Sequence, residues 1–165
     1  MFKLMQLPSS ITTRLQYQHK SMIELIEGLT DEQIRRPVQP GKWSIFENIV
    51  HLASYQHTFN ERLRKVLEGN KPVFERYSAE SDPLFFDTLS RSTREVMQDL
   101  LSTRKEMSAE LPNFPEKDYS KTGTHPLYGT MDLLQWINFF LLHEAHHLFT
   151  IFKLAALQRN RIAIS

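Results

Sequence analysis

The stretch LLHEAHHLFT, residues 141–150, places three histidines and one glutamate within an apolar segment. His143 and His147 are four residues apart, so on an α-helix both imidazoles project from the same face. Extended in both directions at spacings of three or four residues, that face carries the apolar residues Trp136, Phe140, Ile151 and Leu154. The pattern predicts a long helix that directs both histidines at the core of a helical bundle.

Composition supports the same fold class. The chain has 165 residues, 41% of them hydrophobic, which suits one globular domain with a sizeable core. Its five glycines fall between the segments that show helical periodicity. We therefore expect a single domain over residues 1–165, built as an all-α four-helix bundle with a short extra helical turn and long connecting loops.

Capping signals place the helices along the chain. Thr30 and Gln33 have the spacing of a capping box and predict a short helical turn, and Ser44 and Glu47 repeat that spacing before a longer helix. Thr130 is the expected N-cap of the last helix. With the glycines at 28 and 69, these signals predict long helices at about 10–27, 44–68, 83–111 and 130–158, and a loop at 112–129.

Charge and residue usage exclude several classes of function. A formal net charge of +1 indicates no basic surface for nucleic acid. Because no apolar run is long enough for a membrane span or a signal peptide, we expect a cytoplasmic protein with no membrane partner. The absence of cysteine excludes disulfides, thiolate metal ligands and a cysteine nucleophile. Any thiol chemistry would need a thiol from outside the chain.

The histidines admit two explanations. A histidine buried alone is usually a hydrogen-bonded core residue, and His51, near the edge of the apolar face of the second helix, fits that explanation when it is taken by itself. Two imidazoles on one face can instead recover, from a shared metal ion, the solvation that burial removes. A third imidazole from another helix would complete a set with open positions for water or substrate.

The same stretch also matches the zinc metalloprotease pattern, His143-Glu144-x-x-His147. Such enzymes need a third ligand farther along the chain. Position 153, where the extended pattern has histidine, is Lys153, and no acidic residue follows Glu144. The sequence therefore argues against a peptidase.

Two motifs resemble those of the DinB/YfiT-like family, which consists of four-helix bundles with a three-histidine metal site. They are QPGKWSIFENIVHLASYQ at 39–56 and HEAHH at 143–147. The resemblance implies that His51, His143 and His147 are the metal ligands and that Trp43 packs above them. It leaves Glu144 as a candidate neighbour of the ligands and His146 without a role. Leu148 and Phe149 stand where the family commonly has arginine and glycine.

The resemblance also implies a function. We expect a divalent metal ion, with zinc or nickel as the first candidates because imidazole binds both, and a metal-bound water or thiolate in place of a catalytic side chain. The first hypothesis is an S-transferase that uses a low-molecular-weight thiol on a small-molecule substrate. A metal-dependent hydrolase and a non-catalytic metal or small-ligand binding module are the alternatives. The segments 70–86 and 112–129 are expected to cover the pocket, with Tyr55, Tyr77 and Tyr128 as candidate lining residues.

A second apolar strip on the last helix predicts association. Phe139, Leu142 and Phe149 lie on a different side of that helix from the face that carries His143 and His147. One bundle cannot cover both sides, and exposed apolar area of this size usually marks an interface. We expect a homodimer, unless the long loops fold over the strip.

Overall fold

Four helical segments pack into a bundle. The computed structural model describes residues 7–162, with side chains through residue 160. The elements are α1 Ser9–Tyr17, α2 Ser21–Ile26, α3 Asp31–Arg35, α4 Ile45–Leu67, α5 Pro83–Leu89, α6 Thr93–Glu110, β1 Thr122–His125, β2 Gly129–Asp132 and α7 Leu133–Ile162. The first segment, α1 with α2, packs on α6 and α7, and α4 packs on both α6 and α7. None of the described helices is long and apolar enough to cross a membrane.

The start signals at Thr30 and Ser44 and the stop signal at Gly28 are confirmed. The Thr30 side chain accepts a hydrogen bond from the backbone of Gln33, and the Gln33 side chain accepts one from the backbone of Thr30. Ser44 and Glu47 form the same reciprocal pair at the start of α4. Gly28 follows the first segment with a φ of +76°, a conformation that glycine adopts without strain.

Two of the predicted helices are interrupted. The first is broken by a 3-10 turn at Gln18–Lys20, where the Gln18 side chain donates to the Leu141 carbonyl of α7. The third is divided into α5 and α6, and α6 starts at a Ser92 and Glu95 capping box. That second boundary was readable in the sequence, since the spacing is the same as at Ser44.

The prediction of a long loop at 112–129 before the last helix was wrong in part. Residues 122–125 and 129–132 form an antiparallel hairpin, which pairs Thr122 with Asp132 and Thr124 with Thr130. Thr130 is therefore a strand residue and not the N-cap. Asp132 takes that place, because its carboxylate accepts from the Gln135 backbone at 2.8 Å while the Gln135 side chain accepts from the Asp132 backbone at 2.9 Å. The helix that follows extends to Ile162, beyond the predicted end.

Gly123 allows the hairpin to pack closely against the bundle. A Cβ atom at Gly123 would lie 2.8 Å from a methyl carbon of Val66, so only glycine fits this position. The Trp136 indole N–H donates to the Gly123 carbonyl at 3.3 Å. This contact fixes the hairpin beside the first turns of α7.

A buried polar layer crosses the bundle between two apolar clusters. Each helical segment contributes one side chain: Gln18, Gln56, Arg104 and Glu144. Arg104 donates to both carboxylate oxygens of Glu144 and to the Gln56 side chain, and Gln18 donates to the same carboxylate at 2.8 Å. Arg104 is 0% exposed, Gln56 and Glu144 are each 1% exposed, and Gln18 is half-buried at the edge of the layer. Because a buried charge is costly without a partner, these four residues depend on one another.

Candidate metal centre

Three histidines from two helices converge on one point. His51 lies on α4, and His143 and His147 lie one turn apart on α7. Their candidate ligand atoms all lie within 4.8 Å of one another. The Nε2 atoms of His51 and His143 are 3.1 Å apart, although 92 residues separate them in the chain. The structure thus brings together the three residues that the sequence predicted as a set.

Burial keeps these imidazoles neutral. It lowers the pKa of each of the three side chains to about 3, with a smaller contribution from a neighbouring histidine in each case. At neutral pH all three rings therefore offer unprotonated nitrogen atoms. Neutral imidazole suits borderline divalent metals such as zinc and nickel, and the separations are small enough for minor ring rotations to bring the three nitrogens onto one ion. The residues present fit a divalent metal ion.

The second ring nitrogens have unequal surroundings. Nδ1 of His147 lies 2.9 Å from the Oδ1 atom of Asn48. Within the described part of the chain, the Nδ1 atoms of His51 and His143 are buried and have no hydrogen-bond partner. Of the three rings, only His147 is therefore held by a polar side chain through its Nδ1 atom.

Aromatic side chains enclose the cluster. Trp43 lies 5.2 Å from His51, between ring centroids, and stacks on Phe85 at 5.5 Å. Tyr55 lies 4.5 Å from His143, and Tyr77 lies 5.8 Å from His51. Trp43, Tyr55 and Tyr77 were predicted near the site. Phe85 lies within the segment 70–86 that was expected to cover the pocket, although it was not named as a lining residue.

A cavity of about 560 Å³ opens beside His143. Its walls are largely apolar and come from α7 and the hairpin: Tyr128, Met131, Phe139 and Leu142, with His146 at one side. Tyr128 was a predicted lining residue. The contribution of Met131 could not be foreseen, since it depends on the unpredicted strand β2. Together with His143, these residues form a pocket of the size expected for a small molecule.

Glu144 and His146 lie outside the cluster. The Glu144 carboxylate accepts from Arg104 and Gln18 in the buried polar layer, so its described hydrogen bonds lead away from the three rings. The sequence had left the role of Glu144 open, and these contacts make it a member of the buried polar layer. His146 is exposed, and its ring lies 5.3 Å from that of His147.

Comparison with known proteins agrees with the fold. An uncharacterized protein, YuaE, from Bacillus subtilis (strain 168) is 24% identical over 135 residues, which cover 74% of this chain and 83% of that protein. The structure of YfiT from Bacillus subtilis, described as a probable metal-dependent hydrolase with an unusual four-helix bundle topology, matches with a TM-score of 0.76. The two chains are 19% identical in sequence, and the match covers 89% of this chain and 85% of YfiT. It shows that the two proteins share a fold. The family model described as the DinB superfamily matches residues 14–151, and the chain belongs to that superfamily.

Proposed function

We propose that this protein is an enzyme that depends on a divalent metal ion held by His51, His143 and His147. The convergence of three neutral imidazoles carries the proposal, because their ligand atoms lie within 4.8 Å of one another. The described cluster contains no carboxylate, so the ion would keep its full charge. When bound, zinc or nickel would supply a positive charge that favours the deprotonated form of water or of a thiol.

The surroundings of the cluster favour a small-molecule substrate. His143 is shared between the three-histidine cluster and the cavity, so a molecule bound against Tyr128, Met131 and Phe139 would lie next to the ion. The apolar walls would bind the carbon skeleton of such a molecule. Trp43, Tyr55 and Tyr77 would limit the access of water from the other sides.

We favour transfer of a low-molecular-weight thiol to an electrophilic carbon atom. In that reaction the sulfur forms a bond to carbon, the leaving group departs with its bonding electrons, and the thiol proton passes to solvent. The chain has no cysteine, so the thiol must be a co-substrate. An apolar cavity beside His143 would hold the electrophile.

Hydrolysis is the second candidate. The relative with the matching fold, YfiT, is described as a probable metal-dependent hydrolase. The same three histidines would serve that reaction, with water in place of the thiol. A module that binds metal without catalysis would use the same cluster.

A paired assay separates these functions. Protein loaded with Zn²⁺ is mixed with L-cysteine and 1-chloro-2,4-dinitrobenzene, and in parallel with 4-nitrophenyl acetate without thiol. We expect conjugation of the thiol, lost in His51→Ala and retained in His57→Ala, a change on the same helix that is outside the cluster. Hydrolysis of the ester without conjugation of the thiol would favour the hydrolase. If the metal-loaded protein catalysed neither reaction, the enzymatic proposal would be contradicted.

We also propose a homodimer formed through the outer face of α7. Phe149 is 61% exposed, Phe152 52% and Leu142 57%, and the two phenylalanine rings stack at 6.2 Å. The hairpin covers only one end of the predicted strip, where His125 and Tyr128 contact Phe139 at 5.1 and 5.6 Å. These exposed apolar side chains lie along the same helix, which supports their burial against a second copy.

The variant Phe149→Lys, Phe152→Lys tests this interface. Both side chains point away from the core, so the variant should fold, bind Zn²⁺ as the unchanged protein does, and scatter light as a monomer. The unchanged protein should scatter as a dimer at micromolar concentration. A monomeric unchanged protein under those conditions would rule out the proposed interface.

A further inference from the structure

Asn48 links the start of α4 to His147 on α7. It lies three residues before His51 and is 2% exposed. Its Nδ2 atom donates to the Ser44 carbonyl at 2.8 Å, and its Oδ1 atom lies 2.9 Å from Nδ1 of His147. A polar side chain that is buried without hydrogen-bond partners costs stability, and the Asn48 amide has a partner on each side.

These two contacts determine which nitrogen of His147 carries the proton. A backbone carbonyl can only accept a hydrogen bond, so the amide nitrogen of Asn48 must face Ser44. The amide oxygen then faces His147, and an amide oxygen also only accepts. Nδ1 of His147 must therefore be the donor. A neutral imidazole has one N–H group, which leaves Nε2 with a free lone pair.

We propose that Asn48 is a positioning residue for the metal centre, which holds the His147 proton at Nδ1 and so keeps the Nε2 lone pair available to the ion. The inference rests on the proposed metal site, since Nε2 of His147 acts as a ligand only there. The fixed Ser44 carbonyl at the first turn of α4 orients the amide. Ring orientation and tautomer are thus set by the same residue.

The other two rings have no such support. The Nδ1 atoms of His51 and His143 lack partners among the described residues, and their Nε2 atoms face each other at 3.1 Å. Two neutral ring nitrogens at that distance either form a hydrogen bond, in which one of them carries the proton, or both bind the same cation. These two rings can therefore change tautomer when an ion arrives, whereas His147 is in the ligating form beforehand.

The tautomer can be measured without metal. In ¹⁵N-labelled protein treated with chelator, we expect the two-bond ¹H–¹⁵N correlations of His147 to show the proton at Nδ1. In Asn48→Leu, which has no acceptor, the same ring should populate both tautomers. A predominant Nε2–H form in the unchanged protein would overturn the proposal, whether or not the protein binds a metal.

Affinity for Zn²⁺ provides the second measurement. Loss of an acceptor behind a ligating histidine commonly weakens metal binding by about 10–100-fold, and we expect a loss of that size in Asn48→Leu by competition with a chelator. Asn48→Asp keeps the acceptor for His147 but loses the donor to Ser44, so it should bind Zn²⁺ at least as tightly as the unchanged protein. Equal losses in both variants would show that Asn48 acts only through Ser44 and would overturn the proposal.

A matched control is available on α7. Gln158 is also a fully buried amide, but its side chain donates to the carbonyls of Gln33 and Arg36, more than two helical turns beyond His147. Gln158→Leu should lose stability and keep its affinity for Zn²⁺. If the unchanged protein binds no Zn²⁺ through its histidines, the proposed function fails, and the tautomer measurement still decides the role of Asn48.

Discussion

Replacement of Arg104 by methionine is expected to lower the free energy of unfolding by about 3–5 kcal/mol, the usual cost of breaking a buried ion pair. Arg104 is 0% exposed, and its guanidinium donates to both oxygens of Glu144. Methionine can occupy much of the same space, but it leaves the Glu144 carboxylate without its main partner inside the bundle. Equilibrium unfolding in urea, followed by circular dichroism, measures the loss.

Two further variants separate the ion pair from general damage to the core. In Arg104→Met, Glu144→Leu both charges are absent, and we expect much of the stability to return. Glu32→Gln removes one member of an exposed pair, which lies 4.0 Å from Arg36, and should change the stability by less than about 1 kcal/mol. If the Arg104→Met variant is as stable as the Glu32→Gln variant, the side chains of the buried layer do not stabilise one another.

Removal of the metal is expected to have the second large effect. At a free Zn²⁺ concentration about 100 times the dissociation constant, binding to the folded chain alone adds about 2.7 kcal/mol of stability. For a chain of this size that corresponds to a Tm change of roughly 5–10 °C. The experiment is done at pH 7.5, where burial keeps the three imidazoles neutral because their pKa values lie at about 3.

The double variant His143→Ala, His147→Ala should melt at the same temperature with and without Zn²⁺. The His57→Ala variant, altered at a half-exposed histidine that faces Asp99 instead of the cluster, should keep the full shift. Elemental analysis before chelation must show that the unchanged protein contains the ion. If its melting curve is then unaffected by chelation, the ion is not bound by the folded site.

Some features follow from residues that lie close together in the chain. The capping boxes at Thr30 and Ser44 and the stop at Gly28 are completed within a few residues, so the sequence is sufficient to place them. The spacing of His143 and His147 is of the same kind, because the geometry of one helix sets it. For this reason the bundle and two members of the cluster could be predicted from periodicity, and the third, His51, from the family motif.

Other features depend on how separate helices align. Sequence reasoning left the role of Glu144 open, and the structure pairs it with Arg104, 40 residues away, in the buried layer. The contact between Asn48 and His147, and the hairpin that brings Met131 to the cavity, were likewise not predicted. The sequence by itself determined the helical fold class, the capped starts of α3 and α4, and the kind of chemistry that the histidines could support. The tertiary structure alone decided which side chains face one another, because the offset between packed helices depends on the whole core and not on the spacing within any one segment.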